Sequence, residues 1–184
     1  DSANATTTSS SLEELYLGQN VISQVDRAAF AGLSSLVVLN LAENTFQSAL
    51  HAETFHSLPL LDNLNLRATG LAHVHADLFA GNPNLDQLHL QANGIASLPS
   101  TAFAALTRLG VLYLDDNALT SLPTALFASQ GNLVQLHCRG NAIRTLDPRT
   151  LAPLAWLRQL DLSENALTRL AADTFAVVPM LWWI

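Results

Sequence analysis

Apolar residues return along this chain with one long period. Leucine stands at Leu12, Leu36, Leu61, Leu85, Leu109, Leu133, Leu157 and Leu181, every step being 24 residues except one of 25. Three positions further on come Leu15, Leu39, Leu64, Leu88, Leu112, Leu136, Leu160 and Ile184, and two beyond those Leu17, Leu41, Leu66, Leu90, Leu114, Cys138 and Leu162. Asn20, Asn44, Thr69, Asn93, Asn117, Asn141 and Asn165 close the series. The unit is L-x-x-L-x-L-x-x-N, present seven times, with an eighth begun at Leu181. Its x-L-x-L-x stretch alternates as a strand with one buried face must. Each unit therefore predicts one short strand, stacked in parallel on the next at about 4.8 Å, so that eight strands make a face roughly 35 Å long.

The rest of each unit also repeats. Ile22, Phe46, Leu71, Ile95, Leu119, Ile143 and Leu167 lie two after the asparagine position, and Phe30, Phe55, Phe79, Phe103, Phe127, Leu151 and Phe175 follow near the far turn. The phenylalanines have the volume to fill the wider outer half of a coil. A buried asparagine amide can bond backbone groups that would otherwise lack partners. No single coil can bury its own leucines, so stability must come from stacking on neighbours.

This pattern, over Leu12 to Ile184, resembles the typical 24-residue class of leucine-rich repeats, from which Toll-like receptor ectodomains, lamprey variable lymphocyte receptors and Slit-type extracellular proteins are built. The resemblance implies an α/β solenoid: a right-handed coil with a concave parallel β-sheet and a convex side of loops, 3-10 turns and short helices. It also implies a binding module rather than an enzyme, acting outside the cell or at its surface.

The organisation expected is a polar linker or frayed end over 1–11 and a repeat array over 12–184. Extracellular members of this class close their ends with cysteine-rich caps, and neither is found here. Leu12, Leu15 and Leu17 would be bared at one end and Leu181-Trp182-Trp183-Ile184 at the other. Solenoids need polar terminal units for solubility, so the chain reads as a piece of a longer protein, or as an array whose ends associate end to end. The second unit has one extra residue within Thr45–Ala52 and Thr69 replaces asparagine one coil later. These read as a local bulge, the sharper alternative being a change of curvature at a binding site.

Strand alternation identifies the outward rows. The middle row is Tyr16, Asn40, Asn65, His89, Tyr113, His137 and Asp161; the row before it includes Gln87 and Gln135, and the row after it Asp115 and Arg139. The core ladder hardly changes between coils, whereas these rows change at every step, as a recognition surface does. Tyr16, His89, Tyr113 and His137 lead the candidates, because aromatic rings give contact area at low entropic cost.

Composition narrows the remainder. The chain has 184 residues, a net charge of −7 and eight basic residues, all arginine. No basic stripe suits a nucleic acid, and no apolar run approaches the roughly 18 residues of a membrane span. One cysteine, Cys138, allows no internal disulfide and stands at a leucine position, where a thiol acts as a small hydrophobe. Asn4-Ala5-Thr6 is an acceptor for N-glycosylation, with Asn4 the site. His73-x-His75 and Asp115-Asp116 fall short of a metal site, which needs three or four converging ligands, and no cofactor is implied. The expected function is recognition of a protein or glycan through the concave face. The alternatives are an intracellular scaffold or regulatory subunit, for which an unpaired thiol suits a reducing compartment, and a self-associating spacer.

Overall fold

A computed structural model describes residues 11–184. Seven three-residue strands form one parallel sheet in chain order: β1 (Glu14–Tyr16), β2 (Val38–Asn40), β3 (Asn63–Asn65), β4 (Gln87–His89), β5 (Val111–Tyr113), β6 (Gln135–His137) and β7 (Gln159–Asp161). The register keeps equivalent residues side by side, with Leu88 opposite Leu112 and Tyr113 opposite His137. The eighth unit adds no strand. Trp183 makes only a single bridge to Gln159.

Alternation sorts the side chains as the leucine ladder requires. Leu39, Leu64, Leu88, Leu112, Leu136 and Leu160 are fully buried, while their strand neighbours are half-buried on the opposite face. Each fully buried leucine contributes about 1.5–3 kcal/mol. At the two ends of the array the pattern relaxes. Leu12 is exposed, Leu15, Leu17 and Leu181 are half-buried, and Trp182, Trp183 and Ile184 are exposed.

Opposite the sheet, Phe30, Phe55, Phe79, Phe103 and Phe127 form a stacked spine with centroids 6.0 to 6.5 Å apart. Leu151 continues it and Phe175 is half-buried beyond. The convex side consists mostly of turns, with one short helix, α1 (Pro148–Leu151), capped by Asp147. Ser57, Asn82 and Gln130 tie each turn to the preceding one through main-chain carbonyls.

The asparagine ladder performs the backbone task expected of it. Asn117 donates from Nδ2 to the carbonyls of Leu90 and Leu114 and accepts from the Ile95 amide at Oδ1. Asn44, Asn93, Asn141 and Asn165 repeat the arrangement. Buried main-chain groups need such partners.

The residue before each ladder position has a left-handed backbone, with φ between 52° and 58° at Gln19, Glu43, Ala68, Ala92, Asp116 and Glu164, and φ 67° at Gly140. Sequence pattern alone does not expose this strained position, because only one of the seven residues is glycine.

The two irregularities meet. In the regular coils, the amide two after the asparagine donates to the next asparagine's Oδ1, as Ile95 does to Asn117. Thr69 has no such oxygen, so Phe46 donates instead to the Thr69 carbonyl at 2.8 Å. Thr69 Oγ1 donates to the Leu66 carbonyl, replacing one amide bond of the ladder. The 25-residue coil bends at Gln47 and Ser48 beside this contact, off the sheet face. The departure is a local bulge that main-chain bonding absorbs.

Candidate binding face

All seven middle-row candidates stand on the outward face of the sheet, but they divide by what their side chains already do. Asn40, Asn65 and Asp161 each accept at Oδ1 from the amide two residues on, at Ala42, Arg67 and Ser163. These short Asx turns end the strand. The same oxygens are partly committed to structure, whereas Nδ2 of Asn40 and of Asn65 has no partner among the described residues. In coil six the middle-row residue is His137, which has no carboxylate or amide oxygen to offer. Asp115, one coil earlier, accepts from the Arg139 amide at 2.9 Å instead. Asp115 and Arg139 are thus joined through the main chain, while the Arg139 guanidinium pairs with Glu164 at 2.6 Å.

The aromatic candidates of the centre converge. His89 and Tyr113 stack with centroids 4.6 Å apart and planes 15° from parallel, and Tyr113 and His137 at 4.7 Å and 19°. Parallel register places equivalent rings one strand apart, which is also the distance at which rings stack. Tyr113 has both faces covered, so the ledge presents ring edges outward. Gln135 lies beside His137 and Gln91 beside His89, both at 3.4 Å, and Gln87 accepts from Asn63 at 3.2 Å. Burial lowers the His89 imidazole's pKa below its ordinary value. Burial raises that of the Asp115 carboxyl, an effect the Arg139 amide bond opposes and the Asp161 charge reinforces.

Tyr16 stands apart from that ledge. It is 62% exposed, and its hydroxyl donates to Glu14 at 2.9 Å. It walls a cavity of about 310 Å³ over the first three coils. The floor exists because the row after the strand carries its two smallest side chains here, Gly18 and Ala42. The rim is a chain of contacts across three coils: Gln19 donates to Glu43 at 3.0 Å, and Arg67 pairs with the same carboxylate. Gln19, Glu43 and Arg67 were not among the sequence candidates. The signal that would have found them is the adjacent Gly-Ala step in a row whose next two members are the long Arg67 and Gln91.

Asn4 lies outside the described residues. His73 and His75 are exposed, and His75 Nδ1 accepts from the Asp77 amide. Among the described residues, no three His, Cys, Asp or Glu side chains gather to hold a metal ion, and no helix is long and apolar enough to cross a membrane. Cys138 is fully buried, its thiol pKa raised mainly by burial.

Known structures share this fold. A chain from the TLR13–ssRNA13 complex superposes with a TM-score of 0.87 at 27% identity, covering 93% of this chain and 24% of that one. The Toll–Spatzle complex of Drosophila gives a TM-score of 0.74 at 24% identity over 91% of this chain and 25% of that one. The ectodomain of the Arabidopsis thaliana receptor kinase GASSHO1/SCHENGEN3 gives 0.77 at 20% over 93% and 20%. The last two likenesses show the fold alone. This chain spans a quarter or less of the length of each of these three. The family model described as leucine rich repeat matches residues 10–71, 59–119, 83–143 and 107–167. With that match laid over the observed coils, the chain belongs to the leucine-rich repeat family.

Proposed function

We propose that this chain is a recognition module of an extracellular or cell-surface protein, which binds a protein ligand across its concave sheet and catalyses no reaction. The observation that carries the reading is the stacked His89–Tyr113–His137 ledge at the centre of that sheet. Stacking costs the rings little further entropy on binding, and amphipathic ring edges among glutamines are the chemistry of binding faces. The structural likeness to TLR13, solved with single-stranded RNA, supports the receptor reading and raises RNA as a second ligand class. The net charge of −7 and the covered faces of Tyr113 favour a protein, since RNA binding draws on basic groups and open rings.

The test is a screen of this chain against an array of secreted and cell-surface ectodomains, with a single-stranded RNA oligonucleotide as a parallel arm. The triple change His89→Ala, Tyr113→Ala, His137→Ala should weaken any captured protein by at least about a hundredfold, because hot-spot rings contribute ~1 kcal/mol or more each. Undiminished protein binding would place the contact surface elsewhere, and RNA binding alone would overturn the ligand class.

A further inference from the structure

We infer that the cavity over the first three coils is a separate subsite for one neutral saccharide unit. This deepens the recognition reading above and rests on it, but uses different residues from the aromatic ledge. The cavity, about 310 Å³, is the size of a small-ligand pocket. Its wall is the Tyr16 ring, exposed and held by the hydroxyl bond to Glu14. Among the described residues no other ring stacks on it, in contrast to Tyr113. The weakly positive C–H face of a pyranose complements the negative face of such a ring.

The polar groups around the floor suit hydroxyls. Asn40 and Asn65 line the cavity, and with their oxygens occupied by the Ala42 and Arg67 amides each keeps an Nδ2 donor that has no partner among the described residues. Glu43 supplies acceptor oxygens, and its position is fixed by Gln19 and Arg67. Arg67 is neutralised by that carboxylate, so the residues lining the cavity offer fixed donors and acceptors with no net charge among them, the nearest further charge being Glu14 on the Tyr16 hydroxyl. An anionic ligand would have to compete with Glu43 for Arg67, and a cationic one with Arg67 for Glu43. A neutral polyhydroxylated ring meets neither cost.

The repeat supplies the variant that tests this. Position 42 is equivalent to Gln91 two coils on, so Ala42→Gln fills the floor with a side chain the array already carries there. Saturation-transfer NMR would use the methyl glycosides of glucose, galactose, mannose and N-acetylglucosamine, with acetylated amides of arginine and glutamate in separate arms. At least one glycoside should receive saturation from the wild-type chain. That transfer should vanish in Ala42→Gln and in Tyr16→Ala, whose exposed ring leaves folding intact, and persist in Tyr113→Ala. Absence of any glycoside signal, its survival in Ala42→Gln, or transfer to the amino-acid amides in its place would overturn the assignment. The ledge variant scores the protein-binding reading and Ala42→Gln scores this one, so either can fail alone.

Discussion

The rings of Tyr113 and His137 lie 4.7 Å apart with planes 19° from parallel, although 24 residues separate them in the chain. Tyr113 also stacks on His89, so one side chain holds the ledge together. Tyr113→Ala removes both contacts and should destabilise the protein by about 1–3 kcal/mol, since aromatic pairs contribute ~0.5–1.5 kcal/mol each. Urea denaturation reads this, and Tyr113→Phe should recover most of the loss because the stacking faces remain.

Asn117 makes four bonds to main-chain groups of two coils. Asn117→Ala leaves the Ile95 amide unpaired and removes one of the two asparagine bonds that the Leu90 and Leu114 carbonyls each accept, and should cost about 1–3 kcal/mol. Asn20 has no earlier coil beneath it among the described residues and bonds only the Leu17 and Gly18 carbonyls. Asn20→Ala should cost markedly less in the same denaturation assay.

The left-handed backbone at Ala92 is an unfavourable place for a β-carbon. Ala92→Gly should raise stability by up to about 1 kcal/mol, the relief of the αL strain exceeding the added chain entropy. Gly140→Ala should do the reverse, since a β-carbon there would run into the Asp116 carboxylate. Thermal unfolding of the two variants should move in opposite directions.

Burial holds the His89 pKa below its ordinary 6.5. The folded state then binds fewer protons than the unfolded one, so this contribution to stability is complete above that value and is lost as pH falls through the lowered folded pKa. His89→Gln should flatten the acid side of the stability profile as pH falls below 6.5. An unchanged slope in that window would mean that His89 protonates at no cost.

Cys138 is fully buried, and burial raises its thiol pKa, with Asp115 and Asp161 adding to the effect. The thiol should resist a disulfide reagent in the folded protein and react promptly once it is denatured. Cys138→Leu restores the ladder residue of the other coils but adds volume at a fully buried position, and should destabilise the protein by about 1–3 kcal/mol.

Much of the fold was legible in the order of residues because every coil repeats one binary decision. Leu112 and Leu136 go inside and Tyr113 and His137 go outside, since a strand's period of two leaves no other arrangement once its neighbours bury the same face. The ladder asparagines and phenylalanines follow from the same period. What tertiary structure decided lies between coils. The parallel register brought three rings into one stack and lent the Asp115 oxygen to Arg139. It also joined Phe46 to Thr69 and opened a cavity where Gly18 and Ala42 fall side by side. Each of these depends on distances across a 24- or 25-residue step, which periodicity can align but only stacked coils can set.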